Sequence, residues 1–205
     1  MNGWKRSRYR LIGVCPIIFH NGQLANPLNN FSKEIKKISS KKKKTDADYE
    51  RMAELEFKGS LYVNKDNHPI VPIEGIEAVL VAGAKKAKEG KDARAGVYCM
   101  SNAILKYDGP TDPDALWNNN KFRMVAGIRN PSSGSRIMRT RPMFDNWSCD
   151  IELCYNPEVV NEEQIFNWLR VAGDQCGAFD WRPKFGRFIV ERLDKKTIKE
   201  DDLVV

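Results

Sequence analysis

The chain alternates apolar and polar residues most regularly between Trp147 and Tyr155. Odd-numbered positions there carry Trp, Cys, Ile, Leu and Tyr, whereas Ser148, Asp150 and Glu152 occupy three of the even-numbered ones. Because successive side chains of a strand point to opposite faces, this stretch predicts a strand with one buried and one solvent-exposed face. A shorter apolar stretch, Tyr9–Val14, predicts the first strand of the chain.

Apolar residues recur at helical spacing in other parts of the chain. Residues 26–58 contain two such stretches, separated by a lysine-rich joint, and therefore predict two helices. Ile76–Lys88 predicts a third helix, and Asn161 has the side chain to cap a fourth. Short strands at 61–63 and 70–71 are expected to pair as a hairpin. These elements together predict an α+β fold with packed helices.

Residues 122–144 predict a protruding β-hairpin. A turn sequence with Pro and Gly, Asn130 to Ser135, stands between two extended arms. The arms contain many arginines and few large apolar residues, so they are poorly suited to a core. We therefore expect one domain over residues 1–205, with a helical insertion at about 26–58, a basic hairpin at about 122–144 and a charged tail at 194–205.

Basic residues are concentrated in two separate segments of a chain whose formal net charge is +7. Residues 121–143 contain six Lys or Arg residues and no acid, and residues 33–44 contain seven Lys residues against Glu34 alone. Such segments favour a polyanionic partner. For residues 33–44, a solvated charge run without a partner is the competing interpretation.

Several functional classes lack their sequence signatures. A hydrophobic content of 41% is enough for a core, but no run of apolar residues is long enough to span a membrane, and we expect no secretory signal. Five widely spaced cysteines without a Cys-x-x-Cys pair predict reduced thiols in a cytoplasmic protein. No Walker loop or dinucleotide fingerprint is present. The sequence therefore predicts neither a cofactor nor a metal.

The segment from Gly177 to Phe188 combines glycines, aromatic residues and cations. Backbone amides of a glycine-rich loop, together with Arg182, Lys184 and Arg187, can approach a phosphate chain. Trp181 offers a ring on which a base can stack, although it can equally belong to the core. This combination predicts a surface for single-stranded nucleic acid.

The hairpin supplies a second set of candidate phosphate contacts. These are four arginines, Arg129, Arg136, Arg139 and Arg141. A basic surface that serves only solubility is the alternative.

His20 is the one candidate for catalysis. An imidazole exchanges protons near neutral pH and can take the proton of a 2′-hydroxyl, as a ribonuclease requires. The competing interpretation is a polar residue of a turn, because Asn21 and Gly22 follow it.

Three motifs stand along the chain in the order found in a known family. The first strand is followed by Cys15-Pro-Ile-Ile-Phe-His20-Asn-Gly22. Pro69-Ile-Val-Pro-Ile-Glu-Gly75 then leads into a helix, and Gly177 to Arg187 form a glycine-containing C-terminal loop. In these motifs the chain resembles the RAMP superfamily, the repeat-associated proteins of CRISPR effector complexes. It also looks like small proteins carried by bacteriophages.

The resemblance implies a modified ferredoxin-like fold of the RNA-recognition type, with a four-stranded antiparallel sheet. It further implies that the basic hairpin is similar to the thumb of backbone subunits, which press against a guide strand and a neighbouring subunit. Those subunits polymerise along RNA. By this analogy the chain would coat a strand as a homo-oligomeric filament in the cytoplasm of a bacterial cell.

Three functions remain open from the sequence. The first is a non-catalytic protein that binds single-stranded RNA, or DNA as the less favoured strand, and oligomerises along it. The second is a metal-independent endoribonuclease that uses His20. The third is a phage factor that mimics a backbone subunit and binds CRISPR effector subunits of its host.

Overall fold

The computed structural model describes Gly3–Arg129 and Gly134–Leu193. The centre of the predicted hairpin turn, at 130–133, and the charged tail, at 194–205, lie outside the described residues. Within these ranges the strands are β1 (Lys5–Gly13), β2 (Ile17–Ile18), β3 (Ile70–Val71), β4 (Val97–Cys99), β5 (Ala103–Ile104), β6 (Arg123–Arg129), β7 (Arg136–Phe144), β8 (Ser148–Tyr155) and β9 (Phe188–Arg192). The α-helices there are α1 (Asn30–Ser39), α2 (Asp46–Ser60), α3 (Ile73–Lys86), α4 (Gly90–Gly96), α5 (Pro113–Trp117) and α6 (Glu162–Val171).

Four strands form an antiparallel sheet in the order β4-β8-β1-β9. Along the chain α3 lies between β1 and β4, and α6 lies between β8 and β9. The buried face of β8 is the one that the alternation predicted, with Cys149, Ile151 and Leu153 at most 1% exposed. The antiparallel sheets and the helices confirm the predicted mixture of α and β structure.

Helices α3 and α6 cover this buried face and approach each other closely. A Cβ on Gly83 would stand 1.9 Å from the carbonyl oxygen of Trp168, so the approach requires glycine at this position. Ile76 and Leu80 of α3 and Leu169 of α6 belong to the same buried cluster as the sheet. Burial of this cluster is the main favourable term in folding.

Two helices begin with reciprocal side-chain caps. The Thr45 hydroxyl accepts a hydrogen bond from the Asp48 N–H at the start of α2, and the Asp48 carboxylate accepts one from the Thr45 N–H. Asn161 and Gln164 form the same arrangement at the start of α6. Helix α6 therefore starts where the sequence predicted its cap.

The opposite face of the four-stranded sheet carries paired charges. Arg10 of β1 donates two hydrogen bonds to the Asp150 carboxylate, at 2.6 and 3.0 Å, and Lys106 donates a third at 2.7 Å. Arg6 lies 3.6 Å from Glu152. The hydrogen bond from Arg10 is the main reason that the pKa of Asp150 falls to about 2, with Lys106 adding to the effect.

A second antiparallel sheet, in the order β2-β7-β6, carries the predicted hairpin. Strands β6 and β7 pair along their whole length and end with Arg129 opposite Arg136. The base of the hairpin is buried, because Phe144 packs on Phe19 with ring centroids 5.4 Å apart. Helix α2 lies beside β7, and α1 packs on α2. The hairpin is thus fixed to the body of the protein at its base.

The short hairpin expected from residues 61–63 and 70–71 is present in a reduced form. Val63 and Pro69 form an antiparallel bridge, the Ile70 N–H donates to the Tyr62 carbonyl at 2.9 Å, and the Asn64 N–H donates to the His68 carbonyl at 2.9 Å. Ile70 also pairs with Ile104 of β5, a contact that the sequence did not predict. Leu61 ends α2 by donating its N–H to the Lys58 carbonyl, so the first arm of the hairpin begins after this residue.

Candidate nucleic-acid interface

Two arginines face each other at the outer end of the hairpin. Arg129 and Arg136 are opposite residues in the β6–β7 ladder, and both are exposed. No carboxylate in the described part of the chain lies within ion-pairing distance of either. Their charges are therefore available to a polyanion.

The other two hairpin arginines are held by Glu56 of α2. Its carboxylate accepts hydrogen bonds from the Arg139 guanidinium at 3.1 Å and from the Thr140 N–H at 2.9 Å, and it lies 2.8 Å from the Arg141 guanidinium. The Arg141 side chain is only 5% exposed, whereas that of Arg139 is 41% exposed. A phosphate can therefore approach Arg139, but it can reach Arg141 only if that side chain leaves Glu56.

No local sequence pattern identifies Glu56 as the residue that holds the hairpin. Helix α2 also contains Glu50 and Glu54, which have the same charge and lie within two turns of it. Glu54 pairs with Arg51 and Lys58 of its own helix. The partner of Glu56 comes from a strand far along the chain, so sequence reasoning missed it.

The C-terminal loop is a compact turn that displays its cations. Gly186 has a φ of 72°, and a Cβ there would stand 2.0 Å from the carbonyl oxygen of Ala178, so both the conformation and the close approach require glycine. Arg182, Lys184 and Arg187 are all exposed on the outside of this turn. The loop thus presents the three cations that the sequence assigned to a surface.

The aromatic residues of this loop divide between surface and core. Phe179 packs edge-on against Phe19, with ring centroids 5.0 Å apart, and Phe188 is 3% exposed in β9. Trp181 is half-buried and lies 6.2 Å from Phe185, centroid to centroid. Trp181 lines the larger of the two cavities described below, which makes it the candidate for stacking on a base.

His20 lies where the loop meets the hairpin. Its Nδ1 atom is 3.8 Å from an Asp180 carboxylate oxygen, and its Nε2 atom is 3.5 Å from an Arg141 guanidinium nitrogen. Asp180 is in turn 3.5 Å from Arg141. Partial burial lowers the pKa of His20 below its ordinary value; Arg141 acts in the same direction, and Asp180 opposes it. The imidazole is therefore neutral near pH 7.

Two cavities meet at this His20–Asp180 contact. A groove of about 1010 Å³ runs between the hairpin and helices α1 and α2, and His20, Asp180 and Trp181 are among its lining residues. A smaller cavity of about 330 Å³ is lined by His20 and Asp180 together with Tyr62 and Arg182. The hairpin and the C-terminal loop thus both line this concave region, the hairpin with Arg139 and Arg141 and the loop with Arg182.

Neither a metal site nor a membrane-spanning helix is found in the described ranges. Their His, Cys, Asp and Glu side chains form no group of three or more that could hold a metal ion. Asp150 is engaged by Arg10 and Lys106. No helix in these ranges is both long and apolar enough to cross a membrane.

The sequence matches no protein-family model. It also matches no curated protein.

Proposed function

We propose that this chain is a non-catalytic protein that binds single-stranded nucleic acid, with RNA favoured over DNA, and oligomerises along the strand. The observation that carries this proposal is the meeting of two cationic segments that are distant in sequence. Arg141 of the hairpin lies 3.5 Å from Asp180 of the C-terminal loop, and the adjoining cavities are lined by Arg139 of the hairpin and Arg182 of the loop. A strand lying there would release counterions from both.

The roles of the basic residues differ in this proposal. The exposed cations contact phosphates: Arg129, Arg136, Arg182, Lys184 and Arg187. Arg139 contributes with the part of its guanidinium that Glu56 leaves open. Arg141 holds the hairpin in position, and Trp181 supplies the stacking surface.

The sheet order supports the proposed ferredoxin-like, RNA-recognition-type fold. The order β4-β8-β1-β9, with α3 and α6 as connections on one face, is the arrangement that this fold requires. The open face carries the Arg10–Asp150 and Arg6–Glu152 pairs. Because those charges already neutralise each other, we place the nucleic acid against the hairpin and loop.

The relationship to the RAMP superfamily and its context are part of the same proposal. A RAMP-like subunit would work in the cytoplasm of a bacterial cell, alone or beside CRISPR effector subunits. The basic hairpin would act as a thumb between neighbouring copies.

Salt dependence of binding tests the proposal. Nuclease-treated protein is added to a labelled oligouridine and, separately, to a matching labelled oligothymidine. The fluorescence anisotropy is measured in each titration at several salt concentrations. Because affinity comes mainly from phosphate contacts, the logarithm of the association constant should fall linearly with the logarithm of salt concentration, with little dependence on base sequence. Absence of binding at low salt, or an affinity indifferent to salt, contradicts the proposal.

A metal-independent endoribonuclease is a second candidate, and the surroundings of His20 favour it. A neutral imidazole can take the proton of a 2′-hydroxyl, and the pKa of His20 lies below its ordinary value. The products would be a 2′,3′-cyclic phosphate and a 5′-hydroxyl. Cleavage of a labelled hairpin RNA in EDTA, abolished by His20→Asn while binding survives, would establish this activity. An intact RNA after incubation with wild-type protein excludes it for that substrate.

A further inference from the structure

One edge of the hairpin has backbone groups that point away from its partner strand. The Thr140 N–H bonds to Glu56, and the Pro142 carbonyl accepts a hydrogen bond from the Phe19 N–H, both on the side of β7 opposite β6. In a strand, every second residue directs its N–H and C=O to the same side. The backbone N–H and C=O groups of Arg136 and Met138 therefore also point away from β6. Neither residue has a backbone hydrogen bond on that side to another described residue.

The groove beside this open edge is lined largely by apolar side chains. Leu24, Ile35 and Met52 come from the helical side, and Ile128, Ile137 and Met138 come from the hairpin. Met138 is 61% exposed. An open strand edge beside exposed apolar residues is the usual template for an added strand.

The charges around the groove indicate which kind of strand could bind in it. Lys36 of α1 and Arg123 of β6 line it, and no described carboxylate forms an ion pair with either. Three acidic residues also line the groove, but Glu56 and Asp180 are paired with Arg141, which leaves Glu50 as the one lining acid outside those pairs. Aliphatic walls give a base little to stack on, so the part of the groove beside Ile35, Met52 and Met138 suits a peptide better than a nucleotide strand, which we place at the end lined by His20, Asp180 and Trp181. The complementary peptide is extended, with acidic residues next to β-branched or aliphatic ones.

The chain itself contains such a peptide outside the described residues. Residues 200–205 read Glu-Asp-Asp-Leu-Val-Val, three acids followed by three aliphatic residues. Strand β9 carries the chain away from the loop that borders the groove: Phe188 pairs with Gly13, whereas Arg192 pairs with Tyr9. The six residues at 194–199 span at most about 20 Å, so a neighbouring molecule is the more accessible recipient.

We propose that residues 200–205 of one copy add as a strand to the β7 edge of a second copy, in the groove between its hairpin and its helices α1 and α2. The contact is head-to-tail, so each copy donates one segment and accepts another, and assembly is open-ended. This proposal rests on the self-association in the proposed function and supplies its contact.

A peptide experiment tests the pairing. A fluorescein-labelled peptide of residues 197–205 is titrated with full-length protein at low protein concentration, and its anisotropy is measured. We expect saturable binding that a scrambled peptide of the same composition does not show. Met138→Pro, which removes an outward N–H at a strand edge where proline is tolerated, should weaken binding about tenfold or more, whereas Met138→Ala keeps that N–H and should weaken it less.

Modified peptides give a test that leaves the protein unchanged. N-methylation of Leu203 or of Val204 removes one backbone donor, and these two donors point to opposite sides of a strand. Only one of the two peptides should lose binding, by about tenfold or more. Equal affinities for both peptides, or no binding of the parent peptide, overturn the proposal.

A mixing experiment shows whether residues 200–205 bind the groove of a second copy or the groove of their own copy. The donor variant Leu203→Asp/Val205→Asp keeps an intact groove, and the acceptor variant Met138→Pro keeps an intact tail. Each alone should sediment as a monomer after nuclease treatment, a mixture of the two should stop at a dimer, and the wild type should grow with concentration. Wild-type protein that stays monomeric, or a mixture that forms no dimer, overturns the proposal.

The same variants separate this proposal from the proposed function. Binding of an RNA long enough for one copy should be unchanged in Leu203→Asp/Val205→Asp. If residues 200–205 bind a second copy but the protein does not bind RNA, the proposed function is wrong and the contact between copies is supported. If the protein binds RNA but residues 200–205 do not bind a second copy, only the proposed contact is wrong.

Discussion

The Glu56 carboxylate lies 2.8 Å from the Arg141 guanidinium, and both side chains are almost completely buried. The pair joins α2 to β7, and the same carboxylate also holds the Arg139 guanidinium and the Thr140 N–H. One acidic residue therefore sets the position of the hairpin. It also divides the hairpin arginines into two that are free and two that are held.

Removal of the Glu56 charge should destabilise the protein strongly. Glu56→Gln leaves the buried Arg141 guanidinium with only the more distant Asp180 carboxylate, 3.5 Å away, so we expect a loss near the lower end of the range of about 3–5 kcal/mol found for broken buried pairs. Urea unfolding measures the change. The double variant Glu56→Leu/Arg141→Met should be more stable than Glu56→Gln, because it removes both charges. Lys41→Met breaks an exposed pair with Asp48 and serves as the control, for which we expect little change.

Loss of Arg129 and Arg136 should weaken RNA binding and make it less dependent on salt concentration. Arg129→Ala/Arg136→Ala removes two phosphate contacts, so the slope of log K against log salt should become shallower by about 1.4. Arg94→Ala/Arg170→Ala changes the net charge equally on exposed residues of α4 and α6 and should leave the slope nearly unchanged. Equal effects of the two double variants would show that only net charge matters.

Truncation of Trp181 should lower affinity without changing the salt slope. Trp181→Ala removes a stacking face, which costs about 1–3 kcal/mol of binding free energy per base. No charge is lost, so the number of released counterions stays the same. Trp181→Phe should recover most of the affinity. A shallower slope in Trp181→Ala would point instead to a rearranged loop that has moved Arg182 and Lys184.

Acid should weaken the sheet through Asp150. Its pKa is about 2 in the folded protein and near 4 when unfolded, so its stabilising contribution is present above about pH 4 and is lost as pH falls towards 2. Solvent screens this pair, so we expect Asp150→Asn to cost about 1 kcal/mol at pH 7. The difference in unfolding free energy between wild type and variant should shrink as pH falls below about 4 and be lost only below about pH 2. A constant difference from pH 7 to pH 2 contradicts the assignment.

Local patterns predicted much of the fold. The strand at 147–155, the cap at Asn161, the short hairpin at 61–71 and the two arms of the basic hairpin all appear where periodicity and turn chemistry indicated. Each depends on residues a few positions apart, which the sequence displays directly. The pairing of Ile70 with Ile104 of β5 was not predicted, because no local pattern encodes a contact between segments that far apart.

For the candidate site, the sequence by itself determined which residues carry charge and aromatic surface, and that the loop cations cannot all be buried. Tertiary structure alone decided which of them are free. Glu56 lies 83 positions from Arg139, yet it holds both Arg139 and the buried Arg141 while leaving Arg129 and Arg136 exposed. The same long-range packing brings His20 and Asp180 beside the hairpin. The physical reason is that an ion pair depends on distance in space, and that distance exists only once α2, β7 and the loop have packed on their common core.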